Sequence, residues 1–100
     1  MADLKRELVR MEADHPIFRT HFPGLPRVPG SCIIQVFLDM LAEKTGDNCE
    51  VEVQRFRFRH FLAPGTYVFE IEEQQDGLFA CRVQDGDLLA CEGKLRCRNL

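Results

Sequence analysis

The run from Ser31 to Lys44 constrains this chain more than any other segment. It contains no proline or glycine, begins after Pro29-Gly30 and stops at Thr45-Gly46 with Lys44 in the last turn, which are the marks that open and close a helix. Ser31 is the candidate cap. The segment is apolar nearly all the way round, except that Ser31, Gln35, Asp39 and Glu43 recur every fourth residue and so form one stripe. A helix of this kind has to be covered on most sides by other structure. Asp39 and Glu43 are expected to reach solvent or a subunit interface, whereas Gln35, one turn in, is expected at a site.

The chain after the helix changes to period two. Alternation runs from Cys49 to Phe61, from Thr66 to Glu72, from Phe79 to Val83 and from Leu89 to Cys97, each reading as a strand. Ala63-Pro64-Gly65, Gln75-Asp76-Gly77 and Asp85-Gly86 are read as hairpin connections of an antiparallel sheet. Ahead of the helix, Leu8 to Met11 is the expected first strand. The longest strand changes phase: Val51 and Val53 put the apolar face on odd positions, Phe56 and Phe58 on even ones. A bulge near Gln54-Arg55 reconciles the two and curves the strand. The expected architecture is α+β, a curved antiparallel sheet wrapped around one helix.

At 100 residues this is expected to be one domain spanning 1–100, with a thin core. The net charge of −3 argues against a nucleic-acid module, which needs a basic surplus. Met1 to Glu7 holds no apolar leader, and the longest apolar stretch, Cys32 to Ala42, is broken by Gln35 and Asp39, far short of the ~20 residues that cross a bilayer. The expectation is a cytoplasmic protein without a membrane partner. Its five cysteines form no CxxC pair and are read as reduced, small buried hydrophobes. Cys91 and Cys97 lie too far apart along one strand to share an ion, so no metal and no cofactor is expected.

Three of the five prolines and two of the seven glycines fall between His21 and Gly30. Prolines remove backbone freedom and glycines permit close backbone approach, so this loop is built to hold a fixed path into the helix. At the helix N-terminus the first N–H groups have no intrahelical partner and the dipole is positive, which suits a developing oxyanion. His21, at the start of the loop, is a candidate base.

His21-Phe22-Pro23-Gly24-Leu25-Pro26-Arg27-Val28-Pro29-Gly30 followed by a helix resembles the signature of the beta-hydroxyacyl-acyl-carrier-protein dehydratases of type II fatty-acid synthesis. The likeness extends upstream through Asp14-His15-Pro16-Ile17-Phe18 and downstream to Arg55-Phe56-Arg57-Phe58 and Ala63-Pro64-Gly65. It implies the hotdog fold and elimination of water from a 3-hydroxyacyl thioester of acyl carrier protein or coenzyme A. His21 is then the base at C2, and the Gly30 N–H polarises the thioester carbonyl. The family's acid, contributed to the site by the partner subunit, falls on Gln35. Phe22, Pro29, Ser31 and Asp39 are the accompanying candidates for substrate contact. Sites built across subunits imply a homodimer or higher homo-oligomer.

The departures are specific. Gln35 can hold a hydroxyl but carries no transferable proton, Asp39 lies roughly 6 Å further along the axis, and Thr20 and Thr66 replace a glycine and an acid of the pattern. Three functions therefore stand side by side: a dehydratase, an acyl thioesterase, and a non-catalytic acyl-binding relative that pairs with an active subunit. Arg55, Arg57 and Arg59 form a candidate docking face for an acidic carrier, as do Lys94, Arg96 and Arg98. The alternative is cross-strand pairing with Glu50, Glu52, Glu70 and Glu72.

Overall fold

Phe37 sits wholly buried at the centre of the molecule, its ring 5.1 Å from Phe69 on one side and 5.9 Å from Phe56 on another. The computed structural model describes residues 4–11, 28–46, 49–75 and 77–99. Phe37 belongs to α1 (Gly30–Thr45), and the strands are β1 (Leu4–Met11), β2 (Cys49–Phe58), β3 (Gly65–Gln75), β4 (Leu78–Asp85) and β5 (Leu88–Asn99). They form one antiparallel sheet in the order β1-β3-β4-β5-β2. This is the hotdog arrangement.

The helix buries Ile33, Phe37, Met40 and Leu41 against the inward residues of the sheet, among them Phe69, Ile71, Cys81, Val83 and Leu95. Each such large side chain removed from water stabilises the fold by about 1.5–3 kcal/mol. Ser31, Gln35, Asp39 and Glu43 are all exposed, so the polar stripe is the uncovered side of α1. The C-terminus closes at Gly46, which has φ 80 and donates its N–H to Ala42 O at 2.8 Å. Lys5 of β1 reaches Glu43 and also Glu7, tying the edge strand to the far end of the helix.

The expected bulge is present. Gln54 pairs with Lys94 and Arg57 with Glu92, leaving Arg55 and Phe56 opposite the single residue Gly93. Arg55 takes φ 52, the left-handed region that a non-glycine residue enters at a bulge or turn. Beyond it Phe56 faces the helix while Arg57 faces outward.

Three expectations need correction. Ala63-Pro64-Gly65 does not close a hairpin: β2 is an edge strand paired with β5, while β3 lies between β1 and β4. Residues 59–64 therefore cross from one side of the sheet to the other, and Pro-Gly punctuates such a crossing as readily as a turn. β1 begins at Leu4 rather than Leu8, because Leu4 to Glu7 pair in register with Phe69 to Glu72. The reduced reading fails for one pair of cysteines. Cys49 and Cys97, 48 residues apart, are joined sulfur to sulfur with Cα atoms 5.8 Å apart, since antiparallel pairing of β2 and β5 brings together what the sequence separates. Cys81 and Cys91 are buried as expected, and burial pushes both thiols up to about 12.

Candidate functional site

Among the described residues, the N-terminal end of α1 is open. Pro29 is the N-cap and no side chain among the described residues caps the helix, so Ser31 is an exposed first-turn residue rather than the cap. Cys32 N–H donates to Pro29 O at 3.0 Å, but the N–H groups of Gly30 and Ser31 precede the first intrahelical acceptor. No acidic residue occupies the first turn, so among the described residues none in that turn neutralises the positive end of the dipole.

That end opens onto a cavity of about 140 Å³ lined by Val28, Pro29, Gly30, Ile33, Phe58, His60, Phe61 and Leu62. Two backbone hydrogen bonds hold its far wall: Arg59 N–H donates to Ala90 O of β5, and Val28 N–H to Leu62 O, each at 2.8 Å. The crossing segment is thereby fastened at one end to the sheet and at the other to the helix entrance. Phe58 closes on Gly30 so tightly that a Cβ at position 30 would stand 2.9 Å from its ring. Apart from His60 the lining side chains are apolar, and the cavity is smaller than the ~300–1,000 Å³ of a complete ligand pocket. It suits the reacting end of a ligand rather than a whole long-chain substrate.

Gly30 and Pro29 thus lie in the cavity wall. His21 and Phe22 fall outside the described residues. Gln35 is elsewhere: two residues beyond Ile33, it points about 200° round the helix and donates from Nε2 to Asp39 Oδ1 at 2.9 Å on the exposed stripe. Within one chain Gln35 and Asp39 do not meet the cavity, and neither does Ser31.

The basic residues separate as well. Arg59 is bound to Glu92 at 2.9 Å, whereas Arg55 and Arg57 line an outer cleft of about 330 Å³ with Arg82, Lys94, Gln74 and Glu92. Arg57 ends a row of alternating charge across all five strands, Arg6, Glu70, Arg82, Glu92 and Arg57, each opposite the next. Of the expected cross-strand pairs Arg98 with Glu52 is formed, while Glu70 and Glu72 are taken by Arg6 and Arg82 instead.

Sequence reasoning missed His60. Its Nε2 lies 3.4 Å from Asp85 Oδ2, at the end of β4 and 25 positions away. The available signal was a histidine directly after the arginine strand and directly before Phe61-Leu62, where a chain leaves a strand for the interior.

Comparison with known proteins agrees with this architecture. The family model described as ApeI dehydratase, ApeI-like, matches residues 4–94. A 3-hydroxyacyl-[acyl-carrier-protein] dehydratase FabZ of Acidovorax sp. (strain JS42) is 27% identical over 100 aligned positions, covering 84% of this chain and 69% of that protein. Among solved structures, the dehydratase heterocomplex ApeI:P of Xenorhabdus doucetiae superposes with a TM-score of 0.73 at 22% identity, covering 97% of this chain and 93% of that one. The (R)-hydratase of A. caviae involved in PHA biosynthesis gives 0.74 at 17% identity, with 99% and 96% covered. An uncharacterised protein of Erwinia carotovora subsp. atroseptica gives 0.78 at 17% identity, with 99% and 86% covered.

Proposed function

Because the chain belongs to the ApeI-like dehydratase family, we propose that it eliminates water from a 3-hydroxyacyl thioester carried by acyl carrier protein or coenzyme A. The observation that carries this reading is the uncapped start of α1, whose Gly30 amide opens into an apolar cavity. His21, assigned from its motif, removes the C2 proton. The electron pair moves onto the thioester oxygen at the Gly30 N–H and returns to form the C2–C3 double bond as the C3–O bond breaks. The hydroxyl leaves as water once it has gained a proton. The Gln35 amide can orient that hydroxyl from a partner subunit but has no proton to give.

Phe22 and Pro29 complete the substrate contacts in this proposal, Ser31, like Gln35, reaches the substrate only from a partner subunit, and Asp39 holds the Gln35 amide. A second copy is the expected partner, in a homodimer, because β2 is an edge strand with no second neighbour among the described residues and exposes Val53. Arg55 and Arg57, set in the outer cleft, are the expected contacts for an acidic carrier.

Purified protein supplied with 3-hydroxyacyl and with plain acyl thioesters tests the reading. Enoyl thioester formed from the former supports dehydration, whereas free thiol from both replaces it with a thioesterase. Gln35→Glu is expected to raise turnover in the intact oligomer, and no gain would show that the missing acid is not the limitation. A second reading, a non-catalytic subunit paired with an active one, is favoured by the amide at position 35 together with the likeness to a chain of a dehydratase heterocomplex. Absence of turnover until an active homologous subunit is added would select it.

A further inference from the structure

Elimination of hydroxide from a 3-hydroxyacyl thioester needs a proton donor at the leaving oxygen, and the residues on the polar stripe do not line the cavity into which Gly30 opens. His60 does. It is the only side chain of the described lining that can donate or accept a proton. Its ring is half-buried, with Nε2 facing Asp85 Oδ2 at 3.4 Å.

The backbone holds His60 in place with unusual economy. Arg59 N–H is bonded to Ala90 O one residue before it, and Leu62 O is bonded to Val28 N–H two residues after it. Phe58 and Phe61, on either side, both line the cavity. Asp85 is set by the β4–β5 turn, where Gly86 takes φ 60. Among the described residues the charged group that meets the ring is Asp85 of β4; the neighbouring Arg59 is held by Glu92 of β5, and Arg55, Arg57, Arg82 and Lys94 line the separate outer cleft. The start of α1 contributes Gly30 and Ile33 but no charge.

Resting on the dehydratase reading above, we infer that His60, oriented by Asp85, donates the proton with which the 3-hydroxyl leaves as water. His21 takes the C2 proton and His60 gives one to oxygen, so the substrate loses one water and the two imidazoles together end with the protons they began with. Exchange with solvent then restores each to its starting form. In this proposal both proton transfers are assigned to residues of one chain, and Gln35 is left to orient the hydroxyl.

The test uses the full-length oligomer and a short 3-hydroxyacyl-pantetheine thioester, followed in both directions from pH 5 to 9. His60→Gln is expected to lower kcat by about 10²–10⁴-fold with little change in KM, and to abolish the alkaline limb of the pH profile. Asp85→Asn is expected to move that limb and to cost less. A His60→Gln variant that keeps both kcat and the alkaline limb overturns the inference while leaving the dehydratase reading intact. If the unaltered protein shows no turnover, that reading fails by itself, and His60 is then judged by the NMR signal of its ring in the presence of the 3-hydroxyacyl thioester and the plain acyl thioester. A shift specific to the hydroxylated ligand supports contact with that oxygen; equal shifts, or none, overturn it.

Discussion

The ring of Phe58 occupies the space in which any residue other than glycine at position 30 would place its Cβ, 2.9 Å from the ring carbon Cζ. Because Phe58 is partly exposed, it can swing aside, so Gly30→Ala is expected to lower stability only modestly, by about 1 kcal/mol. The displaced ring must alter the cavity instead. Binding of an acyl-pantetheine thioester is expected to weaken at least tenfold, and Phe58→Leu in the same chain to restore part of it; titration calorimetry measures both.

Gly93 meets a different neighbour. It is buried, and a Cβ there would overlap the ring of Phe56, which is packed against Phe37 in the core and has little room to move. Gly93→Ala is therefore expected to destabilise the fold by about 1–3 kcal/mol, with Phe56→Leu compensating. Urea denaturation of the single and double variants reads the coupling.

Glu70 is a buried carboxylate, 8% exposed, bonded to Arg6 through Nη2 at 2.9 Å and Nε at 3.2 Å. Removing the arginine leaves a desolvated charge, whereas removing both partners does not. Arg6→Ala is expected to lower the urea midpoint more than Arg6→Ala combined with Glu70→Met does.

The buried thiols give the alkaline behaviour a sign. Burial raises Cys81 and Cys91 from 9.0 to about 12, so between those values the folded chain holds more protons than the unfolded one. Their contribution is intact below pH 9 and is lost as pH rises toward 12. A Cys81→Ala, Cys91→Ala chain is expected to show a shallower fall in stability above pH 9. In the unaltered protein iodoacetamide at pH 8 is expected to reach the half-buried Cys32 well before either of them.

The helix and the strands were legible because each is a local repeat: 31–44 lacks any breaker, and Phe56 and Phe58 stand out of phase with Val51 and Val53 whatever lies across from them. Strand order was not legible, since Ala63-Pro64-Gly65 looks the same whether the chain turns back or crosses over. The position of Gly30 at the entrance to the helix was read from the prolines around it. His60 was not legible, because its meaning depends on Asp85 and on a cavity assembled from the helix entrance and the end of β2. The bond between Cys49 and Cys97 escaped for the same reason, being a property of neighbouring strands rather than of spacing.

Arg55 carries one more consequence. Gln54 is opposite Lys94 and Arg57 opposite Glu92, so excising Arg55 would seat Phe56 directly across from Gly93 with every flanking pair unchanged. In terms of length variation, position 55 is an inserted residue that the ladder absorbs. Its excision would cost the sheet its bend and none of its partners, whereas losing Phe56 would turn an arginine toward the core.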